Sequence, residues 1–136
     1  MTLGIGFERP RLSWQIVTER TNWRQAAYEI ASYNADGQLN QQTGRVESEQ
    51  SVMIDWPFAP LASRQRVSLQ VRVWSSDGNA SPWNEPLSVE VGLLHSADWT
   101  ARFVSPVWDE DTSKDNPAPN LHQEFTADFG GTIAFA

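Results

Sequence analysis

The chain has 136 residues, no cysteine, a single lysine, seven tryptophans and a formal net charge of −7. That length holds one domain of ordinary size with its own core, and the missing cysteines exclude disulfides and thiolate metal sites. The acidic balance opposes nucleic acid and anionic membranes as partners. No segment approaches the roughly 20 apolar residues that span a bilayer. Met1 to Gly6 lacks the basic stretch and apolar run of a leader, so the cytoplasm is the expected compartment.

Taken in order, a short edge strand precedes Leu12, Trp14 and Ile16, which alternate with Arg11, Ser13 and Gln15 as a strand with an inward tryptophan. Residues Gln25 to Tyr33 place Ala26, Tyr28 and Ile30 on one face and stop at Asn34-Ala35-Asp36-Gly37. Their alanines also suit a helix, but the short span and the turn residues favour a strand. Val46 marks a minor strand after Gly44, and Val52, Ile54 and Trp56 another before Pro57.

The clearest element is the run RVSLQVRV at 66–73: Val67, Leu69, Val71 and Val73 share one face, and Arg66, Ser68, Gln70 and Arg72 the other. Ser76, Asp77, Gly78 and Asn79 break it, and Leu87, Val89 and Val91 resume as a return strand. The glycosylation sequon Asn79-Ala80-Ser81, followed by Pro82, reads as part of that turn. About seven short strands and no long amphipathic helix predict an all-β, Greek-key β-sandwich over residues 1–92.

Residues 93–119 read as a linker. LLHSADWTA suits one helical turn capped by Ser96, Phe103 and Val104 an extended piece, and the acidic, proline-flanked stretch from Ser105 to Pro119 a loop. Residues 120–136 read as the truncated start of a second β-sandwich, with Leu121, Gln123, Phe125 and Ala127 alternating before the apolar ending TIAFA. Such an ending calls for further chain to cover Ile133 and Phe135.

Chemistry is sparse. Asp109, Glu110, Asp111 and Asp115 form the only carboxylate cluster, with no histidine or apolar wall beside them. They also lack the ligand spacing and turn glycine of a calcium loop, while His95 and His122 are too isolated for zinc. No nucleophile elbow, phosphate loop or zinc-protease motif occurs. No catalytic, metal-binding or cofactor-binding residue is expected, and no cofactor. The tryptophans are the exception, because Trp23, Trp56, Trp74, Trp83, Trp99 and Trp108 fall in loops or at strand ends. Trp74 follows Arg72 on the polar face and suits stacking on its guanidinium. Arg72, Trp74, Trp83, Trp99 and Trp108 are the candidate interface or sugar-stacking residues, with burial between domains weighted above ligand binding.

The order Leu12-Ser13-Trp14, Tyr28-Glu29-Ile30, Leu61 and VRVWSSDGNASPW resembles a fibronectin type III domain. Val67 stands where that fold often has a tyrosine corner, so other packing must set the bend. RPRLSWQI, QAAYEI, GRVESEQSV, the run LASRQRVSLQVRVWSSDGNASPW and VGLLHSADWTARF together resemble the N-terminal region of bacterial α-L-rhamnosidases. PAPNLHQEFTADF is similar to the entry into that family's next sandwich. Val67 and Leu69 depart from an aromatic pair of the family's long strand.

The resemblance implies a parent glycoside hydrolase that removes terminal α-L-rhamnosyl residues with inversion, using two carboxyl groups on a helical barrel that has no counterpart here. This chain is then expected to be a non-catalytic packing domain, its partners the downstream catalytic and sandwich domains, with rhamnosylated glycosides as a further candidate ligand. The alternative is a stand-alone carbohydrate-binding or protein-interaction module. An adhesion module using an open sheet edge is the generic third reading.

Overall fold

The computed structural model describes residues 2–105, 109, 111, 113–115, 118 and 120–124. The chain divides into two compact units, Met1–Trp99 and Thr100–Ala136.

The first unit is built from six strands: β1 (Thr2–Ile5), β2 (Gln25–Asn34), β3 (Leu39–Gln42), β4 (Val46–Glu47), β5 (Arg66–Ser75) and β6 (Leu87–Val91). They form one sheet in the order β1-β6-β5-β2-β3, with β4 also on β2. Every pairing is antiparallel except β1 with β6. The sheet is centred on β2 and β5, which run opposite one another from Gln25↔Ser75 to Asn34↔Val67.

β5 forms as its alternation dictates, with Val67, Leu69 and Val73 buried on the inner face. Its turn closes at Gly78, whose φ of 83° only glycine adopts without strain. Gly78 N–H donates to Ser75 O at 2.9 Å, and Ser75 N–H to Asn79 O at 3.0 Å. The β2–β3 hairpin turns at Gly37, also at positive φ, where Gly37 N–H donates to Asn34 O at 2.9 Å. β2 is a strand and not a helix. It is buried on both faces, because Ala27, Glu29 and Ala31 lie opposite Trp74, Arg72 and Gln70 of β5.

The second layer differs from the expectation. The segments around Leu12–Ile16 and Val52–Trp56 are not strands; they meet at one bridge, Leu12↔Ile54, with both N–H···O bonds at 2.9 Å. Trp14 N–H adds a bond to Ser51 O at 2.9 Å. Met53, at φ 58°, turns the backbone out of the extended region, and Pro10 and Pro57 bring no ladder donors. These segments still cover the sheet. Ile54, Trp56, Phe58 and Leu61 join Tyr28, Ile30, Val67, Leu69, Val73, Val89 and Val91 in one core, with Leu12, Trp14 and Ile16 packed against it. Among the described residues the strand count is therefore six rather than about seven: two expected strands are extended cover, and β3, whose LNQQ has no apolar alternation, is an addition.

After β6, Ser96–Asp98 form a single 3-10 turn with His95, not Ser96, at its N-cap. The Asp98 carboxylate makes the difference, accepting His95 N–H at 3.1 Å and the Ser63 hydroxyl. In the second unit Phe103 and Val104 are exposed and belong to no strand. Leu121 to Glu124 lie in no strand either, and the remainder of the expected final strand, Phe125 to Ala136, lies outside the described residues.

Candidate functional site

Of the candidate residues, the fold brings Arg72, Trp74 and Trp83 together on the outer face of β5. Strand alternation puts Arg72 and Trp74 on that face, and the backbone beyond the turn carries Trp83 back along the strand. Ser81 N–H donates to Val73 O at 2.8 Å, Val73 N–H to Ser81 Oγ at 3.1 Å, and Val71 N–H to Asn84 Oδ1 at 2.6 Å. The Arg72 guanidinium lies 4.9 Å from the Trp74 ring centroid and 4.7 Å from that of Trp83. Arg45 lies 5.1 Å from the Trp74 ring. Two guanidinium groups and two indoles thus associate through cation–π contacts.

The donors of Arg72 are engaged as well. Its Nε and Nη2 both reach Glu29 Oε2 at 2.6 Å, and Gln42 Nε2 donates to the other carboxylate oxygen. Glu29 is only 6% exposed against 34% for Arg72, so the guanidinium supplies the charge that a buried carboxylate needs. Sequence reasoning missed Glu29, Gln42 and Arg45. The one available signal was the β2–β5 register, which sets Glu29 opposite Arg72.

Trp99 stands apart, at the C-cap of the 3-10 turn and 66% exposed. Trp108 lies outside the described residues. A half-open cleft of about 360 Å³ runs beside Arg72, between Trp14, Ile16 and Val17 on one side and Pro82 and Asn84 on the other. Two smaller clefts of about 180 and 230 Å³ adjoin at the loop end and share Arg20, Trp23 and Ser75.

Three carboxyl groups of the described residues are held below their ordinary range. Asp77 is held below its ordinary 3.8 chiefly by the Ser75 hydroxyl, then by Asn79 and the Arg20 charge. Asp98 is lowered by the Ser63 hydroxyl and the His95 N–H, and Asp111 by the Ser113 hydroxyl and Lys114. Among the described residues no three His, Asp or Glu side chains are grouped to hold a metal, and no helix is long and apolar enough to cross a membrane.

A strand-rich unit with one sheet, a covering layer of bridged extended segments and a cation–π stack locked into its outer face defines an immunoglobulin-like β-domain. The family described as Rha78A-like, N-terminal immunoglobulin domain, matches residues 1–95, and the chain belongs to that family. It is 35% identical over 107 residues to an α-L-rhamnosidase of Streptomyces avermitilis, a match covering 76% of this chain and 10% of the relative. The crystal structure of the Streptomyces avermitilis α-L-rhamnosidase complexed with L-rhamnose superposes with a TM-score of 0.69 at 34% identity, over 74% of this chain and 10% of that one. Native α-L-rhamnosidase from Aspergillus terreus gives 0.67 at 39% identity, over 73% and 11%. The chain spans about a tenth of the length of these relatives.

Proposed function

We propose that this chain is the non-catalytic N-terminal domain of a larger α-L-rhamnosidase-like glycoside hydrolase, where it stabilises the parent by packing against the catalytic and β-sandwich domains. The observation that carries the reading is the extent of the similarity: the immunoglobulin-domain family covers residues 1–95, and the match to the Streptomyces avermitilis enzyme spans a tenth of a protein named for rhamnoside hydrolysis. The parent removes terminal α-L-rhamnosyl residues with inversion, by an acid and a base outside this chain. The cysteine-free composition of this chain suits a reducing compartment such as the cytoplasm.

Large exposed apolar side chains support a docking role, notably Trp99 and Phe7 in the first unit. Deleting residues 1–99 from the parent tests it. The melting temperature falls by several degrees and soluble yield drops, while turnover per folded enzyme toward an aryl rhamnoside is retained. An unaltered melting temperature overturns the packing role.

A further inference from the structure

Two adjoining clefts open at the loop end, between residues 18–24 and 75–81. Their polar groups divide into two sets. Asp77 is consumed within the domain, paired with Arg20 at 3.3 Å and accepting from the Ser75 hydroxyl and from Asn79 N–H. Arg24 is exposed and has no ion-pair partner among the described residues. Among the charged residues that line the clefts Arg24 is thus the one left unpaired, and Glu19, exposed and equally without an ion pair, belongs to the same segment but not to the lining. The unpaired guanidinium favours an anionic group at its own edge of the cleft.

The remaining lining specifies more than charge. Trp23 is half-buried and packed against the core, and it lines both clefts. Its indole N–H, the side chains of Thr21 and Asn22 and the Ser76 hydroxyl have no hydrogen-bond partner among the described residues. An anchored aromatic beside unclaimed hydroxyl, amide and indole groups suits a flat ring with several hydroxyls, which stacks on the indole and exchanges hydrogen bonds around its rim. A guanidinium at the edge suits a carboxylate, which it binds through two parallel donors.

We propose that this cleft binds a carboxylate-bearing sugar unit, a uronate, with Trp23 under the ring and Arg24 on the carboxylate. An acidic peptide offers the carboxylate without the polyhydroxy ring, and so leaves the hydroxyl and amide lining unused. The combined size of the clefts suits one monosaccharide, so affinity for the free sugar falls in the millimolar range.

The test is a titration of the ¹⁵N-labelled 136-residue chain at low ionic strength, following the Trp23 indole resonance, with D-galacturonate, D-galactose and acetate. Galacturonate and galactose share a ring and differ at one exocyclic carbon, so their difference isolates the carboxylate. Galacturonate shifts the indole resonance and binds at least about five-fold more tightly than galactose, and Arg24→Gln brings the two within about two-fold. No shift up to about 50 mM galacturonate, equal binding of galactose, or an unchanged preference in Arg24→Gln each overturns the proposal. Acetate moving the indole as far as galacturonate also overturns it, by reducing the cleft to a simple anion site. Arg24 is exposed and outside the core, so the variant folds, and failure here leaves the packing role untouched.

Discussion

Glu29 and Arg72 face each other across the two central strands, joined through Nε and Nη2 at 2.6 Å, with the carboxylate almost fully removed from water. Two indoles cover the guanidinium, so the ion pair sits in a partly desolvated setting where losing one partner leaves a buried charge behind. Arg72→Ala is expected to destabilise the domain by about 3 kcal/mol, read as a lower denaturant midpoint. Arg72→Lys recovers only part of this, because an ammonium keeps the charge and loses the fork and the planar stack. Arg72→Ala with an unchanged midpoint contradicts this role for the pair.

A backbone prediction concerns Met53, held at φ 58° with its N–H on Ser13 Oγ at 2.9 Å and its side chain half in solvent. A methionine there carries strain that asparagine tolerates better. Because little apolar burial is lost, Met53→Asn is expected to raise stability by about 0.5 kcal/mol. Chemical denaturation of the two chains decides the sign, and a loss of stability contradicts the strain argument.

Those two sites also mark where the sequence was and was not legible. β5, β6 and the glycine turn between them follow from two-residue alternation and turn chemistry, both local properties, and the stacking of Arg72 on Trp74 follows from the same alternation. The sheet's covering layer does not follow: Leu12 to Ile16 alternates like a strand, yet positive φ at Met53 and the flanking prolines limit it to one bridge with Ile54. β2 was legible as a strand but not as doubly buried. Ala27, Glu29 and Ala31 are covered by long side chains from β5, and only the register reveals which residues oppose them. Trp83 joins the stack for a similarly nonlocal reason, set by the Ser81 and Asn84 bonds to β5.

Acid should act through Asp98. Its pKa is lowered in the folded domain, first by the Ser63 hydroxyl, so the stability it contributes is present above the ordinary 3.8 and is lost as pH falls through the depressed folded value. Ser63 also accepts Leu94 N–H at 2.9 Å, fastening the residues after β6 to the loop before β5. In Ser63→Ala the Asp98 pKa rises toward 3.8, and the melting temperature falls most above about pH 4. The gap between variant and wild type narrows toward pH 2, once Asp98 is protonated in both. A gap independent of pH contradicts this account and reduces the effect of Ser63→Ala to simple loss of packing.

Gln25 is buried, and its side-chain amide is committed at both ends. Its Oε1 accepts the Trp14 indole N–H at 2.9 Å, and its Nε2 donates to Ser48 O at 3.0 Å and Gln50 O at 2.8 Å, tying the covering layer to β2. Gln25→Leu preserves apolar volume and leaves one donor and two acceptors without partners, an expected loss of about 3 kcal/mol when each is worth about 1. Gln25→Glu separates the two halves of the network. The introduced carboxylate still accepts from Trp14, but when ionised it faces two carbonyl oxygens, which raises its pKa in the folded domain. Such a group binds a proton more tightly folded than unfolded, so stability increases as pH drops from 7 toward 4. Once protonated, the new hydroxyl donates to one of the two carbonyls. Melting curves of the Gln25→Glu chain at pH 7 and pH 4.5, set beside wild type, are therefore expected to show a deficit that shrinks at the lower pH. A deficit that grows on acidification means the Gln25 amide does not donate to Ser48 and Gln50 in solution.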